Sequence, residues 1–265
     1  MKSAEPHPAS LEEIEDIIDG FGYAAEYLER AGFDGVEIHG AHGYLLAQFL
    51  SQSTNLRNDH YGGSLRNRAR LTLEVAEAVR LRTSPDFVMG IKLNSVEFQD
   101  KGLTQEEAKQ LCIMLEKSTF DFVELSGGTF EDMGFEHKKE STKHREAFFL
   151  EFADEITPAL SKTKSYITGG FKTAAAMVRA LDTVDGVGLG PAACQEPRLP
   201  KSILEGKVQA IIKQRPNDQH TALATIVAGS QIRQMSKDQE PFDMSLEENE
   251  KAFMKLMNTW MELDS

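Results

Sequence analysis

The stretch FDGVEIHGAHGYLLAQFL, residues 33–50, decides how the rest of the chain is read. Its opening, FDGVEIHG (33–40), is short and rich in β-branched and apolar side chains, which predicts a strand. A helix stands before it. Ser10 with Glu13 three residues on forms a capping box that can satisfy two orphan N–H groups. Ile14, Ile17, Ile18, Phe21, Ala25 and Leu28 then recur at helical spacing, and Gly32 closes the run. Helix followed by buried strand is the opening of an α/β repeat.

The same order continues outward. A helix is predicted over roughly 65–82, and FVMGIKLN (87–94) reads as a strand. Thr104 and Glu107 make a second capping box, with Ala108, Leu111, Cys112 and Leu115 as the inner face of its helix. FDFVELSGG (120–128) is a strand, a helix follows near 146–160, SYITGG (165–170) is a strand, a helix covers 172–181, and VDGVGLG (184–190) is the last strand. One helix followed by five βα units predicts an α/β fold with a parallel sheet under helices. After Pro200 helical patterns near 201–213, 219–235 and 245–262 follow one another without strands. The last starts at a third capping box, Ser245 with Glu248, and QMSKDQEPFDMS (234–245) is the loop before it.

Bulk properties narrow the function classes. The chain has 265 residues, 29 Lys plus Arg against 42 Asp plus Glu, and a net charge of −13. With no basic block, nucleic acid and anionic membrane are poor partners. No apolar run nears the ~20 residues of a bilayer span, and MKSAEPHPAS lacks the apolar core of a secretory signal. Cys112 and Cys194 are too few for a disulfide scaffold, so a cytoplasmic, reducing location is expected.

In parallel α/β folds the chemistry sits where strands end at their C-terminal edge. The first strand ends in His39-Gly40-Ala41-His42-Gly43-Tyr44, two imidazoles and a phenol within one turn. Neutral imidazole can donate to a carbonyl oxygen, and a phenol with a pKa of ~10 can protonate only a strongly basic centre. A metal site is the weaker alternative, because no Cys or carboxylate completes the pair. Lys92 lies inside the second strand and is aimed at an anion, with a Schiff-base role as the runner-up and a snorkelling lysine as the bland reading. Gly127-Gly128, Gly169-Gly170 and Gly186/Gly188/Gly190 end the last three strands. Tight turns explain each pair alone, but the last two strands of a barrel are a common place for phosphate.

Residues 31–80, AGFDGVEIHGAHGYLLAQFLSQSTNLRNDHYGGSLRNRARLTLEVAEAVR, closely resemble the Old Yellow Enzyme family of FMN-dependent NAD(P)H:flavin oxidoreductases. GIKLNSVEFQ (90–99), VELSGGT (123–129) and ITGGFKT (167–173) resemble later strands of its fungal-type members, and the likeness covers roughly 10–205. The resemblance implies a TIM (β/α)8-barrel whose C-terminal mouth holds FMN, with NADH or NADPH as hydride donor. It implies an activated C=C bond, conjugated to a carbonyl in a small molecule, as the thing reduced, in a setting such as fungal secondary metabolism. By this resemblance His39 and His42 bind the substrate carbonyl, Tyr44 protonates the α-carbon, Lys92 lies beside the flavin pyrimidine edge, and Gly169, Gly170 and Gly190 serve the FMN site.

The match also departs from the pattern. The family carries HGAHGY on its fourth strand, so the first three strands and their flavin contacts have no counterpart here. The final strand closes Gly188-Leu189-Gly190-Pro191-Ala192 where the family has Gly-Arg-Pro, and Arg198 is no close substitute for that phosphate-gripping arginine. Arg66 stands where an acidic residue is usual. The expectation is therefore an incomplete barrel of about five βα units over 1–205, a helical extension over 206–265 packed on it, and a weakened grip on flavin. The alternative function is a catalytically impaired member with little flavin. Open sheet edges would favour self-association.

Overall fold

Alternate residues of a strand face opposite sides of a sheet, so a strand that is apolar at every second position marks one face for burial. A computed structural model of the protein describes residues 7–97, 99–127, 149–215 and 221–263. They fall into two units. The first comprises the described residues up to Gly127 together with Phe149–Ile167 and Thr183–Asp185; the second comprises Thr168–Asp182 and the described residues from Gly186 on.

The first unit runs α1 (Leu11–Arg30), β1 (Gly35–Gly40), α2 (Leu45–Leu50), α3 (Leu65–Arg68), α4 (Arg70–Arg82), β2 (Val88–Asn94), α5 (Gln105–Lys117), β3 (Phe122–Ser126), α6 (Leu150–Ile156) and β4 (Lys164–Thr168). Both of its predicted capping boxes form: Ser10 with Glu13 starts α1, and Thr104 with Glu107 starts α5. Strands β1 to β4 lie side by side in chain order and are parallel throughout. The register sets His39 beside Lys92 and Lys92 beside Glu124, with Asn94 beside Ser126 one layer higher. Ile38, Met89, Ile91, Leu93, Val123, Leu125 and Ile167 point to the other face and are buried. They meet the inner positions of the helices: Ile14 and Ala25 of α1, Leu71, Val75 and Val79 of α4, and Leu111 and Leu115 of α5.

Gly90 is required by contact rather than by φ. A Cβ on Gly90 would come within 2.0 Å of the Phe122 ring. The bare backbone leaves that ring room to meet Tyr166 edge-on, with centroids 5.4 Å apart.

The second unit holds α7 (Ala174–Ala180), β5 (Gly186–Gly188), α8 (Pro191–Gln195), α9 (Leu199–Leu204), α10 (Thr221–Met235) and α11 (Glu247–Leu263). Here three expectations need correction. The helix expected over 201–213 stops at Leu204, because Gly206 takes the left-handed φ of +68°. Beyond it the chain is extended, and Ala174 and Ile211 donate their N–H groups to Gln209 and Lys172 across a short antiparallel bridge of Thr173 with Ala210. The strand expected over 184–190 covers only Gly186–Gly188, and Pro191 opens α8 just after it, since proline at the first helical position gives up only an orphan N–H. The capping box at Ser245 gives way to Asp243, whose carboxylate accepts the Ser245 N–H at 2.7 Å and whose carbonyl accepts Asn249 Nδ2 at 2.8 Å. Val227, Met244 and Phe253 form the core of this unit, with Leu223, Phe242 and Met257 against them.

Gly128, the segment 146–148 and the start of the helix expected at 219 lie outside the described residues. Five strands are present among those described, where ~8 close a standard barrel. Among the described residues no helix is long and apolar enough to cross a membrane.

Candidate active site

The residues that end β1 turn sharply. Gly40 finishes the strand, His42 adopts a left-handed φ of +61°, Gly43 follows at +77°, and Tyr44 starts α2 as its N-terminal flanking residue. A histidine at positive φ is uncommon and needs support from its surroundings. The support is a hydrogen bond from the His42 backbone N–H to Asn94 Oδ1 at 3.2 Å, at the end of the neighbouring strand β2. The turn gathers three rings. The His39 and His42 centroids are 5.2 Å apart, and the Tyr44 ring meets His39 edge-on, also at 5.2 Å. The Tyr44 phenol is more than half exposed, so it is open to a molecule arriving from solvent.

His42 Nε2 reaches Ser126 Oγ at the end of β3, 2.9 Å away. Burial, and then the proximity of His39 and Lys92, push the His42 imidazole down to about 4. Burial and then Lys92 lower His39 as well. Both rings are therefore neutral at pH 7 and keep an N–H that can be donated.

One layer below, Lys92 Nζ is hydrogen-bonded and ion-paired to Glu124 Oε1. Partial burial, a hydrogen bond to Glu124 and its negative charge push the Glu37 carboxyl up to about 7. The expected residues His39, His42, Tyr44 and Lys92 are thus brought to one end of one sheet. Glu124, Ser126, Asn94 and Glu97 are additions that sequence reasoning missed. The available signal for Asn94, Glu124 and Ser126 was their polarity at alternate positions of otherwise apolar strands; Glu97 lies in the segment after β2, where no such pattern marks it.

Gly169 and Gly170 belong to the second unit. They have φ of +146° and +73°, values that a side chain would resist, and the hydroxyl of the preceding Thr168 is buried without a partner. Gly190 caps α8, and a Cβ there would meet nothing within 4 Å. Arg198 pairs with Glu240 at 3.7 Å, both side chains being largely exposed. Arg66 lies elsewhere, in an outer groove of about 470 Å³ that it shares with Arg70, Glu74, Glu77 and Arg80 and that contains none of the clustered rings.

Comparison with known proteins gives the family. The family described as NADH:flavin oxidoreductase / NADH oxidase matches residues 2–210. An NADH-dependent flavin oxidoreductase of Aspergillus parasiticus is 46% identical over 260 residues, 97% of this chain and 59% of that protein. A second, from Talaromyces variabilis, is 39% identical over 214 residues, 75% of this chain and 50% of that protein. The chain thus spans little more than half the length of these relatives. Among solved structures, morphinone reductase in complex with tetrahydroNAD superposes with a TM-score of 0.62 at 28% identity, covering 83% of this chain and 56% of that one. 2-Naphthoyl-CoA reductase gives a TM-score of 0.71 at 28% identity, covering 77% of this chain and 32% of that one. On this evidence the chain belongs to the FMN oxidoreductase family of NADH:flavin oxidoreductases and NADH oxidases.

Proposed function

We propose that the protein is an FMN-dependent NAD(P)H oxidoreductase of the ene-reductase type, acting on a small α,β-unsaturated carbonyl compound. The observation that carries this reading is the convergence of two neutral imidazoles and an exposed phenol on one turn at the C-terminal end of a parallel sheet. The fungal relatives named as NADH-dependent flavin oxidoreductases support the flavin and NADH part of this reading, and a place in fungal secondary metabolism is part of the proposal.

The donors present suit FMN. Lys92 supplies a cation for the pyrimidine edge, although Glu124 already shares its charge. Gly169 and Gly170 have the open backbone that a phosphate approach needs, and the buried Thr168 hydroxyl lacks a partner. Gly190, also in the second unit, would be a third such backbone position. FMN, when bound, supplies the hydride it has taken from NADH or NADPH.

The chain's own residues do the rest. His39 and His42 donate N–H bonds to the substrate carbonyl oxygen, which gains negative charge as the β-carbon is reduced. The depressed imidazoles matter here, because a neutral ring donates without adding a charge to be desolvated. Tyr44 gives its phenolic proton to the α-carbon. That carbon becomes basic only once the β-carbon has gained the hydride and left an enolate, a centre basic enough to take a phenolic proton.

The test is direct. The purified chain is loaded with FMN, its absorbance near ~450 nm is read, and NADH- or NADPH-driven reduction of an enone such as cyclohexenone is followed. Flavin retention with enone turnover supports the proposal. Retention without turnover of enones sinks the substrate assignment, and failure to retain FMN supports an impaired family member instead.

A further inference from the structure

The turn that carries His42 and Tyr44 is tied down from both ends by one buried carboxylate. Glu97 is 6% exposed, and four neutral groups donate to it. Oε1 accepts Asn94 Nδ2 at 3.1 Å, and Oε2 accepts Ser51 Oγ at 2.6 Å, the Leu103 N–H at 2.9 Å and Gln99 Nε2 at 3.3 Å. Asn94 and Ser51 are themselves 1% and 2% exposed. Asn94 passes the restraint to one end of the turn. Its Nδ2 is committed to the carboxylate, so its Oδ1 is free to accept the His42 N–H, and that order of donor and acceptor leaves no alternative flip. Ser51 passes it to the other end. It is the residue that ends α2, the six-residue helix that Tyr44 begins.

We infer that Glu97, acting through Asn94 and Ser51, is the positioning residue that holds the His42–Tyr44 turn in its working geometry. The inference rests on the roles given above to His42 and Tyr44. The physical need for it is clear from the backbone. A left-handed histidine is strained and persists only where neighbours over-determine it. The α2 helix is too short to hold its own start firmly. A carboxylate buried among hydroxyl, amide and peptide donors is rigid, since each partner it loses leaves a desolvated charge less satisfied.

The experiment replaces Glu97 by Gln, which keeps size and removes charge, and follows the His42 imidazole by NMR as pH is varied. His42→Gln identifies the signal. The groups facing that ring are His39, Lys92, Glu124 and Ser126. If Glu97 positions the turn, its loss frees His42 from its buried seat, and the His42 midpoint rises from about 4 toward the ordinary 6.5 by about one unit or more. Loss of a negative charge without movement would push the midpoint the other way. The sign therefore separates positioning from plain electrostatics. In the FMN-loaded protein kcat for enone reduction falls about 10- to 100-fold, with KM moving far less.

A folded Glu97→Gln protein whose His42 midpoint stays put or falls overturns the inference. Should that variant fail to fold by circular dichroism, Asn94→Ala, which removes both the His42 acceptor and one donor to Glu97, is read by the same criterion. Glu116→Ala, a change outside this turn, serves as the control that lowers stability and leaves His42 unmoved. A raised midpoint with unchanged kcat upholds the positioning and refutes the role given to His42 in the reaction, so the two readings fail separately.

Discussion

His42 Nε2 lies 2.9 Å from Ser126 Oγ, joining the turn after β1 to the end of β3 across the intervening strand. The hydroxyl is the ring's hydrogen-bond partner in a seat that also faces His39, Lys92 and Glu124. Ser126→Ala should leave His42 without that partner and destabilise the fold by about 1 kcal/mol, read from urea midpoints at unchanged m-value. An unchanged midpoint would mean that the contact contributes nothing.

The depressed His42 imidazole gives stability a pH dependence of known sign. Folded, the ring takes up its proton at about 4; unfolded, it does so near 6.5. Between these values the unfolded chain binds more protons. The contribution is full above pH 6.5, is lost as pH falls toward 4, and levels off below. Denaturation curves from pH 4 to 7 should show a shallower slope in His42→Gln than in the parent chain.

Tyr44 is more than half exposed, and its ring touches His39 edge-on. Tyr44→Phe should therefore leave stability within about 0.5 kcal/mol. Enone reduction should drop about 100-fold while oxidation of NADH by the loaded protein continues, because only proton delivery has been removed. Equal loss of both reactions would argue against the phenol as proton donor.

Lys92 and Glu124 are each about four-fifths buried and satisfy one another. Lys92→Met removes the cation beside Glu124, leaves that carboxylate its hydrogen bond with Glu37, and should cost about 1–3 kcal/mol of stability. It should also weaken FMN retention in equilibrium dialysis. The double change Lys92→Met with Glu124→Gln should recover much of the stability but not the retention, which separates the fold's need for the pair from the cofactor's need for the cation.

Glu116 caps the segment entering β4 from outside. Its carboxylate accepts the N–H groups of Ser161, Lys162 and Thr163 at 2.8–2.9 Å, and the bonds from Lys162 and Thr163 lead in holding it down to about 2. A group lowered in the folded state contributes fully above its unfolded value of about 4.5 and loses that contribution as pH falls toward 2. Glu116→Ala should cost about 1 kcal/mol at pH 7 and very little at pH 2.5, by thermal melts at both values.

Local features were readable directly from the chain. The order of helices and strands, the capping boxes at Ser10 and Thr104, and the crowding of His39, His42 and Tyr44 at a strand end all depend on residues a few places apart. Periodicity of side chains and the chemistry of helix starts are short-range properties, so composition and spacing are enough to read them. The Gly206 stop was visible as a residue but not as an event, because glycine takes positive φ only where surrounding contacts ask for it.

The linkages that make the cluster a site belong to tertiary structure. Lys92 meets Glu124 across 32 residues of chain, and His42 meets Asn94 across 52. Nothing local selects those pairings. They follow from the register of parallel strands whose shared apolar face is buried, because a slip of one residue would turn every polar side chain of this face into the core. What the amino-acid order determined by itself was a repeated βα unit with a reactive turn. Which carboxylate faces the lysine, and which amide holds the histidine, was decided only when the strands paired.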